Sequence, residues 1–577
     1  MQTNIDTTRS NNEVGTAPRK ARSYLPLIFP LAMLGAILLL DATLPLGGFW
    51  FHTALLSTLG SWSLLPTHLL FPGWTVSSSI TSANPTPPAD ILGWLQMPFL
   101  ISAFIIIFLL YVLALYRLPR HITSYRYILY STLLLGGLYL LFPVVTSPDI
   151  FSYIAYARIG VIYHLNPLTT LPTAIHADPV YPQLYWNDQP SAYGPIWAGI
   201  TCVLQWLTLV FGTQSLVPMV LALRLLGLVT HLCSTLLIWS IIGRVQLLQG
   251  QVSYTKRWLA TFAFAWNPLL LFEATVNAHN DAQLLLFVLL ALWFLLPTQQ
   301  TAAATPRQAK LPILTIVMLA LAACLKINLL VLLPFVLLFL YKQSRRPLLT
   351  VTASTLLFGG IIILLYAPFW QNGAILNIVH TNPTTSRAIN TLPEFLSRLY
   401  NSVITNLGFP RPPYYGSAAE ATGHTLSIGL FVVLYALLGW QALRSARALR
   451  NLPSLFRWLA MAWLLYCAIG TPWFWPWYTV TFFGLYALAA ATSTDEPSLF
   501  GRIRLPLLVS LLAFSMLSIY CFYAWGPHDT YIPGLPDFQW AYLRGLWAWL
   551  IPLLALRKNR NPPIVQRYHV SPEKPSD

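Results

Sequence analysis

Apolar stretches long enough to cross the roughly 30 Å hydrocarbon core of a bilayer recur along almost the whole chain, and this constrains the fold more than any motif does. Lipid offers the backbone no water, so each crossing segment must satisfy its own N–H and C=O groups as a helix. The expected fold class is all-α: a polytopic integral membrane protein whose buried surface is helix against helix and helix against lipid. Composition agrees. Of the 577 residues, 56% are hydrophobic and 9% charged, where soluble domains carry about 25% charged residues.

Apolar windows, tested against the Lys and Arg content of the loops, place spans near 25–46, 91–116, 124–146, 216–241, 258–275, 281–297, 311–326, 328–342, 348–369, 424–444, 455–471, 477–493, 505–524 and 541–556. These fourteen crossings put both termini in the cytoplasm, with 26 of the 33 Lys and Arg on that side, as the positive-inside rule requires. The net charge of +16 then reflects topology, and nucleic acid is excluded as a partner. The assignment works only if 191–212, "SAYGPIWAGITCVLQWLTLVFG", does not cross. Its Tyr, Trp and Gln suit an interfacial or re-entrant helix at the outer surface. The expected organisation is a polar cytoplasmic tail (1–23), one transmembrane domain (24–556) with outer loops 47–90, 147–215 and 370–423, and a cytoplasmic tail (557–577). The first span lacks a small-residue cleavage signature and reads as an uncleaved anchor in the cytoplasmic membrane. The five cysteines lie in apolar segments without CxxC spacing, so neither a disulfide framework nor a zinc site is indicated.

Chemistry is therefore expected at the outer rim. In "SPDIFSYIAYARIGVIYHLNPL", residues 147–168, Ser147 suits an N-cap, Pro148 a first helical position and Asp149 a first turn, where the helix dipole favours an anion. Helix capping alone explains the triplet. On a helix beginning here, Tyr153 and Tyr156 share the Asp149 face while Arg158 turns about 180° away, leaving the acid unneutralised. A carboxylate beside aromatic rings at a lipid boundary is partly desolvated, which makes it a usable base near neutral pH. Arg158 is left to meet a lipid phosphate or to snorkel.

"VNAHNDAQ" sets Asn277, His279, Asn280 and Asp281 in an outer turn. It is either a polar turn capped by Asn280 or a set of groups for sugar hydroxyls and phosphate. Lys326, in "AACLKINLL", is an ammonium between apolar helices that needs an anionic partner; a lipid-linked phosphate would provide one. Arg224 invites the same reading more weakly, because Glu273 or Asp41 could pair with it. "TPWFWPWYTV" gathers Trp473, Trp475, Trp477 and Tyr478, either as an interface belt or as faces for sugar rings. His279 and Asp281 alone do not make a metal site; no cofactor is expected, with a divalent metal left open. The chain has no phosphate-cradling Gly-rich loop, GxSxG or HExxH, which argues against ATP-driven transport and Ser or Zn hydrolase chemistry.

The order "SPDIFSY", "NPL", "SAYGPIW", an Arg-bearing span, "WNPLLLFEATVNAHNDAQLLL" and "WPWY" resembles the GT-C superfamily of polyprenyl-phosphate-sugar-dependent glycosyltransferases. It is most similar to bacterial α-mannosyltransferases that use polyprenyl-phosphate-mannose, over roughly residues 120–480. The resemblance implies a many-helix fold with an extracytoplasmic cavity and a catalytic acid in the first large outer loop, a position matched here by Asp149; Asp41 is a rival. It also implies an inverting transfer from a polyprenyl-phosphate-linked sugar to a glycan or lipid-anchored acceptor among membrane lipids. On this reading Lys326, Arg158 and Arg224 face the donor phosphate, and Tyr153, Tyr193, His279, Asn280, Asp281, Trp477 and Tyr478 face the sugars. The alternatives are a lipid-linked sugar flippase, for which no inverted repeat is visible, and an oligosaccharide ligase or polymerase relying on Arg387, Arg398 and Arg411.

Overall fold

The computed structural model describes residues 24–47, 91–118, 124–142, 146–296, 312–413, 415–493, 505–525, 532–535 and 538–554. The expected tails 1–23 and 557–577, and the outer loop 47–90 beyond its first residue, lie outside the described residues. No strand occurs among the described residues; a lone bridge joins Ile389 and Trp473. Helix is found in every segment where hydropathy places a span, so the all-α expectation holds. Among the described residues, five helices are long and apolar enough to cross a membrane on their own: Leu100–Arg117, Val217–Leu248, Pro347–Phe369, Ala418–Arg444 and Leu452–Gly470.

Other apolar segments are broken by local chemistry. The window 258–275 divides into Tyr254–Ala265 and Pro268–Thr275 because Asn267 caps the second helix, accepting from the Leu269 N–H at 3.1 Å, and Pro268 has no amide hydrogen to continue the first. The segment 191–212 becomes a helix, Pro195–Thr208, extended by a short 3-10 turn, and is too short to count among the five. One face buries Trp197, Ala198 and Thr201; the other leaves Val203, Trp206, Leu207 and Val210 exposed, an apolar surface suited to lipid. The sequence places Asp149 at a lipid boundary at the outer rim. Instead, the Asp149–Val161 helix is buried on all sides from Ile150 to Ile159, packed against Pro195–Thr208 and Val217–Leu248. Its residues are apolar nearly all round, and such a helix is stable only when enclosed.

Val217–Leu248 is the hub, packed against Tyr125–Tyr139, Pro268–Thr275 and Asp281–Leu295 among other helices. Arg224 on it is fully buried, its Nε donating to the Val276 carbonyl at 2.9 Å and its Nη1 to the carbonyls of Leu140, at 3.0 Å, and Phe142. Those carbonyls end the two helices that lead into Asp149 and His279. One helical turn on, Gly227 brings the hub against the Ala274 carbonyl so closely that a Cβ would lie 1.7 Å from the oxygen. Backbone cannot yield as a flexible side chain does. Gly227→Ala should therefore lower stability by roughly 1–3 kcal/mol, measured as a reduced melting temperature of the purified protein in detergent; an unchanged melt would contradict this close crossing.

Candidate active site

Asp149 opens its helix, with Pro148 rather than Ser147 as the N-cap residue. Ser147 serves the same end by another route: its Oγ accepts the Asp149 N–H at 3.3 Å. The Asp149 side chain is 14% exposed, and its Oδ2 accepts from the Tyr193 hydroxyl at 3.3 Å. Burial pushes the carboxyl above the usual carboxylate range. The charge of Lys326 and the Tyr193 hydrogen bond pull it the other way without cancelling the shift, while Asp281 adds to it. Tyr153 lies on the same side, edge-on to Tyr193 (5.1 Å between centroids) and Trp197 (5.0 Å). Tyr156 donates to the Gln189 carbonyl at 3.0 Å and helps fasten the loop beyond its helix.

The "VNAHND" turn meets this acid. Ala278 adopts a left-handed conformation, φ +54°, costly for a residue with a Cβ, and reverses the chain so that the His279 amide returns to the Glu273 carbonyl at 2.9 Å. His279 is 1% exposed. Its Nδ1 lies 2.8 Å from Glu273 Oε2, and its Nε2 lies 3.1 Å from Ser147 Oγ and 3.7 Å from Asp149 Oδ2. The ring stacks on Trp477 at 3.8 Å, and Trp477 stacks in turn on Trp475 at 4.9 Å. Sequence reasoning offers Trp477 as part of an interface belt or as a face for sugar rings; one face of its ring lies on the imidazole. Asn280 is fully buried as the cap residue of Asp281–Leu295, and neither atom of its side-chain amide has a hydrogen-bond partner among the described residues.

Lys326 has a protein partner, Asp281 Oδ2 at 2.7 Å, and its ammonium sits over the Tyr478 ring at 4.4 Å. A close backbone approach brings this turn to the acid. The amides of Gly194 and Ile196 donate to the carbonyls of Leu325 (3.2 Å) and Cys324 (3.1 Å). A Cβ on Gly194 would stand 2.1 Å from the Cys324 oxygen, so "AYGP" needs glycine there. Asp149, Tyr153, Tyr193, His279, Asn280, Asp281, Lys326, Trp477 and Tyr478 thus gather into one buried polar cluster.

Arg158 and Arg224 do not join them. Arg158 is buried against Asp178 at 2.8 Å and also donates to the Thr213 carbonyl at 2.8 Å, while Tyr163 donates to the same carboxylate at 3.0 Å. Arg224 latches helix ends together, and a carboxylate whose charge acts on it is Asp41. Sequence reasoning missed Glu273 as the partner of His279, and with it Ser147, Tyr520 and Thr146; the one available signal was a lone carboxylate inside an apolar helix six residues before the histidine. Among the described residues, no three His, Cys, Asp or Glu side chains are placed to hold a metal ion.

Breaking a buried ion pair by removing one partner costs about 3–5 kcal/mol. Asp178→Asn and Arg158→Met should each lower unfolding stability in detergent by roughly that much, and the double variant by less than the two together. A parent-like melt for Arg158→Met accompanied by loss of sugar transfer would instead place Arg158 at the donor.

The MptA_B family model, described as "Alpha-(1->6)-mannopyranosyltransferase, N-terminal domain", matches residues 31–342. No curated protein and no solved structure gives a match. Asp149, Tyr153, Tyr193, Glu273, His279, Asp281 and Lys326 all fall inside the matched stretch, while Trp477, Tyr478 and Tyr520 lie beyond it. Since the match spans more than half of the 577 residues, the chain, with its apolar membrane helices and buried acid–histidine–lysine cluster, belongs to the MptA_B family of α-(1→6)-mannopyranosyltransferases.

Proposed function

We propose that the protein transfers a mannosyl group, with inversion, from a polyprenyl-phosphate donor to a hydroxyl of a glycan or lipoglycan acceptor at the outer face of the cytoplasmic membrane. The observation that carries this reading is the setting of Asp149: a carboxyl raised by burial, at a helix start, in contact with Tyr193 and facing His279. A base whose pKa approaches the working pH is the one best suited to take a hydroxyl proton. In the transfer, the acceptor oxygen forms a bond to the anomeric carbon as the bond from that carbon to the phosphate oxygen breaks. Asp149 receives the proton, and the lipid phosphate leaves with the electron pair.

Lys326 suits the phosphate. Its ammonium has three N–H donors, and Asp281 engages one side of it, leaving donors for an anion. A cation placed where negative charge develops stabilises the transition state more than the ground state. Asn280 and the Oδ1 of Asp281 are buried polar atoms without a protein partner among the described residues; such atoms mark where water or ligand completes the bonding, and sugar hydroxyls have the chemistry to do so. The exposed apolar face of Pro195–Thr208, the helix that follows Tyr193, suits a polyprenyl tail arriving from the bilayer. The transfer as written draws on no nucleotide.

Asp149→Asn should reduce transfer from labelled polyprenyl-phosphate-mannose in membranes by about 10²–10⁴-fold with protein abundance unchanged; retention of most activity would overturn the assignment of the base. Because the required form is the carboxylate, and burial raises its pKa, activity should fall as pH drops through a midpoint above the ordinary aspartate value of about 3.9. An acid limb at or below that value would contradict a buried, raised Asp149. Lys326→Met should weaken transfer chiefly through the donor.

A further inference from the structure

Beyond the base itself, a chain of hydrogen bonds runs into His279 that the transfer alone does not use. Glu273 accepts on both carboxylate oxygens: the Tyr520 hydroxyl reaches Oε1 at 2.9 Å, and Asn277 Nδ2 and His279 Nδ1 each reach Oε2 at 2.8 Å. Asn277 is itself held by Thr146, whose hydroxyl donates to Asn277 Oδ1 at 2.5 Å, so the orienting group is braced from the segment that precedes the acid. A carboxylate can only accept, so the hydrogen lies on Nδ1 and the lone pair on Nε2. That lone pair faces Ser147 Oγ and Asp149 Oδ2. Every group is then satisfied in one direction: the Asp149 amide donates to Ser147, the Ser147 hydroxyl to Nε2, and Nδ1–H to Glu273.

We propose that Glu273 and His279 are positioning residues that clear the proton from Asp149: Glu273 fixes the tautomer of His279, and Nε2 takes over the proton that Asp149 has received from the acceptor hydroxyl. The inference rests on Asp149 being the base. The acceptor O–H proton becomes Asp149 Oδ2–H; the Ser147 hydroxyl turns its hydrogen off Nε2, the 3.7 Å approach closes to a hydrogen bond once the acid can donate, and the proton moves to the freed Nε2 lone pair. Asp149 is again an anion, and the imidazolium stands between it and Glu273, with Trp477 covering the ring. The proton passes to water as the glycosylated product leaves. Without this step the buried Asp149 would hold its proton, and the next acceptor would meet an acid in place of a base.

The test is steady-state transfer by the full-length protein in detergent or membranes, comparing His279→Gln, His279→Ala, Glu273→Gln and Asp149→Asn, with a melt recorded for each. Gln can hydrogen-bond to Glu273 and Ser147 but carries no proton onward. Expected are a fall in kcat of about 10²-fold for His279→Gln, no better for Gln than for Ala, an unchanged KM for the lipid-linked donor, and roughly a tenfold fall in kcat for Glu273→Gln. Restoration of kcat by Gln over Ala, or losses confined to KM, would reduce the pair to structural or substrate-binding roles and overturn the proposal. If His279→Gln fails to fold, the kcat of Glu273→Gln decides alone, a parent-like value overturning the proposal. An inactive Asp149→Asn beside active His279 and Glu273 variants refutes the relay only, whereas an active Asp149→Asn refutes the base.

Discussion

The buried guanidinium of Arg224 is the contact on which the rest of the site depends. A charge removed from water is tolerated only when its donors are engaged, and a helix end carries carbonyls that its own hydrogen bonding cannot satisfy. Each solves the other's problem here. Arg224 donates to Leu140 and Phe142 at the end of one helix and to Val276 at the end of another, and these ends lead directly to Asp149 and to His279. Gly227, one turn along, lets the hub helix approach the Ala274 carbonyl without a side chain between them. An acid and a histidine far apart in sequence are thereby held at one place by packing that touches neither.

The chemical result of this packing is a division of labour between charges that are satisfied and one that is not. Arg158 with Asp178, and Arg544 with Glu394, are buried pairs that join segments apart in the chain. Lys326 is held by Asp281 yet keeps donors in reserve. Asp149 has no lysine or arginine within salt-bridge distance among the described residues, a histidine faces it, and its buried setting raises its pKa. Two further segments complete the enclosure: "AYGP", fastened to the Lys326 turn by backbone hydrogen bonds, and "FWPWY", whose Trp477 covers the imidazole.

The sequence made local structure legible and left pairing obscure, for a physical reason. Hydropathy located the helices because lipid forces each crossing segment to satisfy itself, and Ser-Pro-Asp marked a helix start that the structure shifts by a single position. The 3.6-residue period turned Arg158 away from Asp149 correctly. It could not reveal Asp178, twenty residues on, because a salt bridge between segments is decided by tertiary packing. For the same reason the Asp281 that pairs with Lys326 was not foreseen, and Glu273 was offered to Arg224 when it belongs to His279. The acid helix read as interfacial because its aromatic and apolar residues suit a membrane rim as well as a protein interior; only the surrounding helices distinguish the two.

The most direct test is an experimental structure with a non-hydrolysable phosphonate analogue of a polyprenyl-phosphate-mannose bound. The phosphonate is expected within hydrogen-bond reach of Lys326 Nζ, the sugar against Asn280 and Asp281, and the anomeric carbon on the side of the Asp149 carboxylate open to an incoming hydroxyl. A ligand seated elsewhere, with Asp149 and His279 still sealed from it, would contradict Asp149 as the base and Lys326 as the phosphate site.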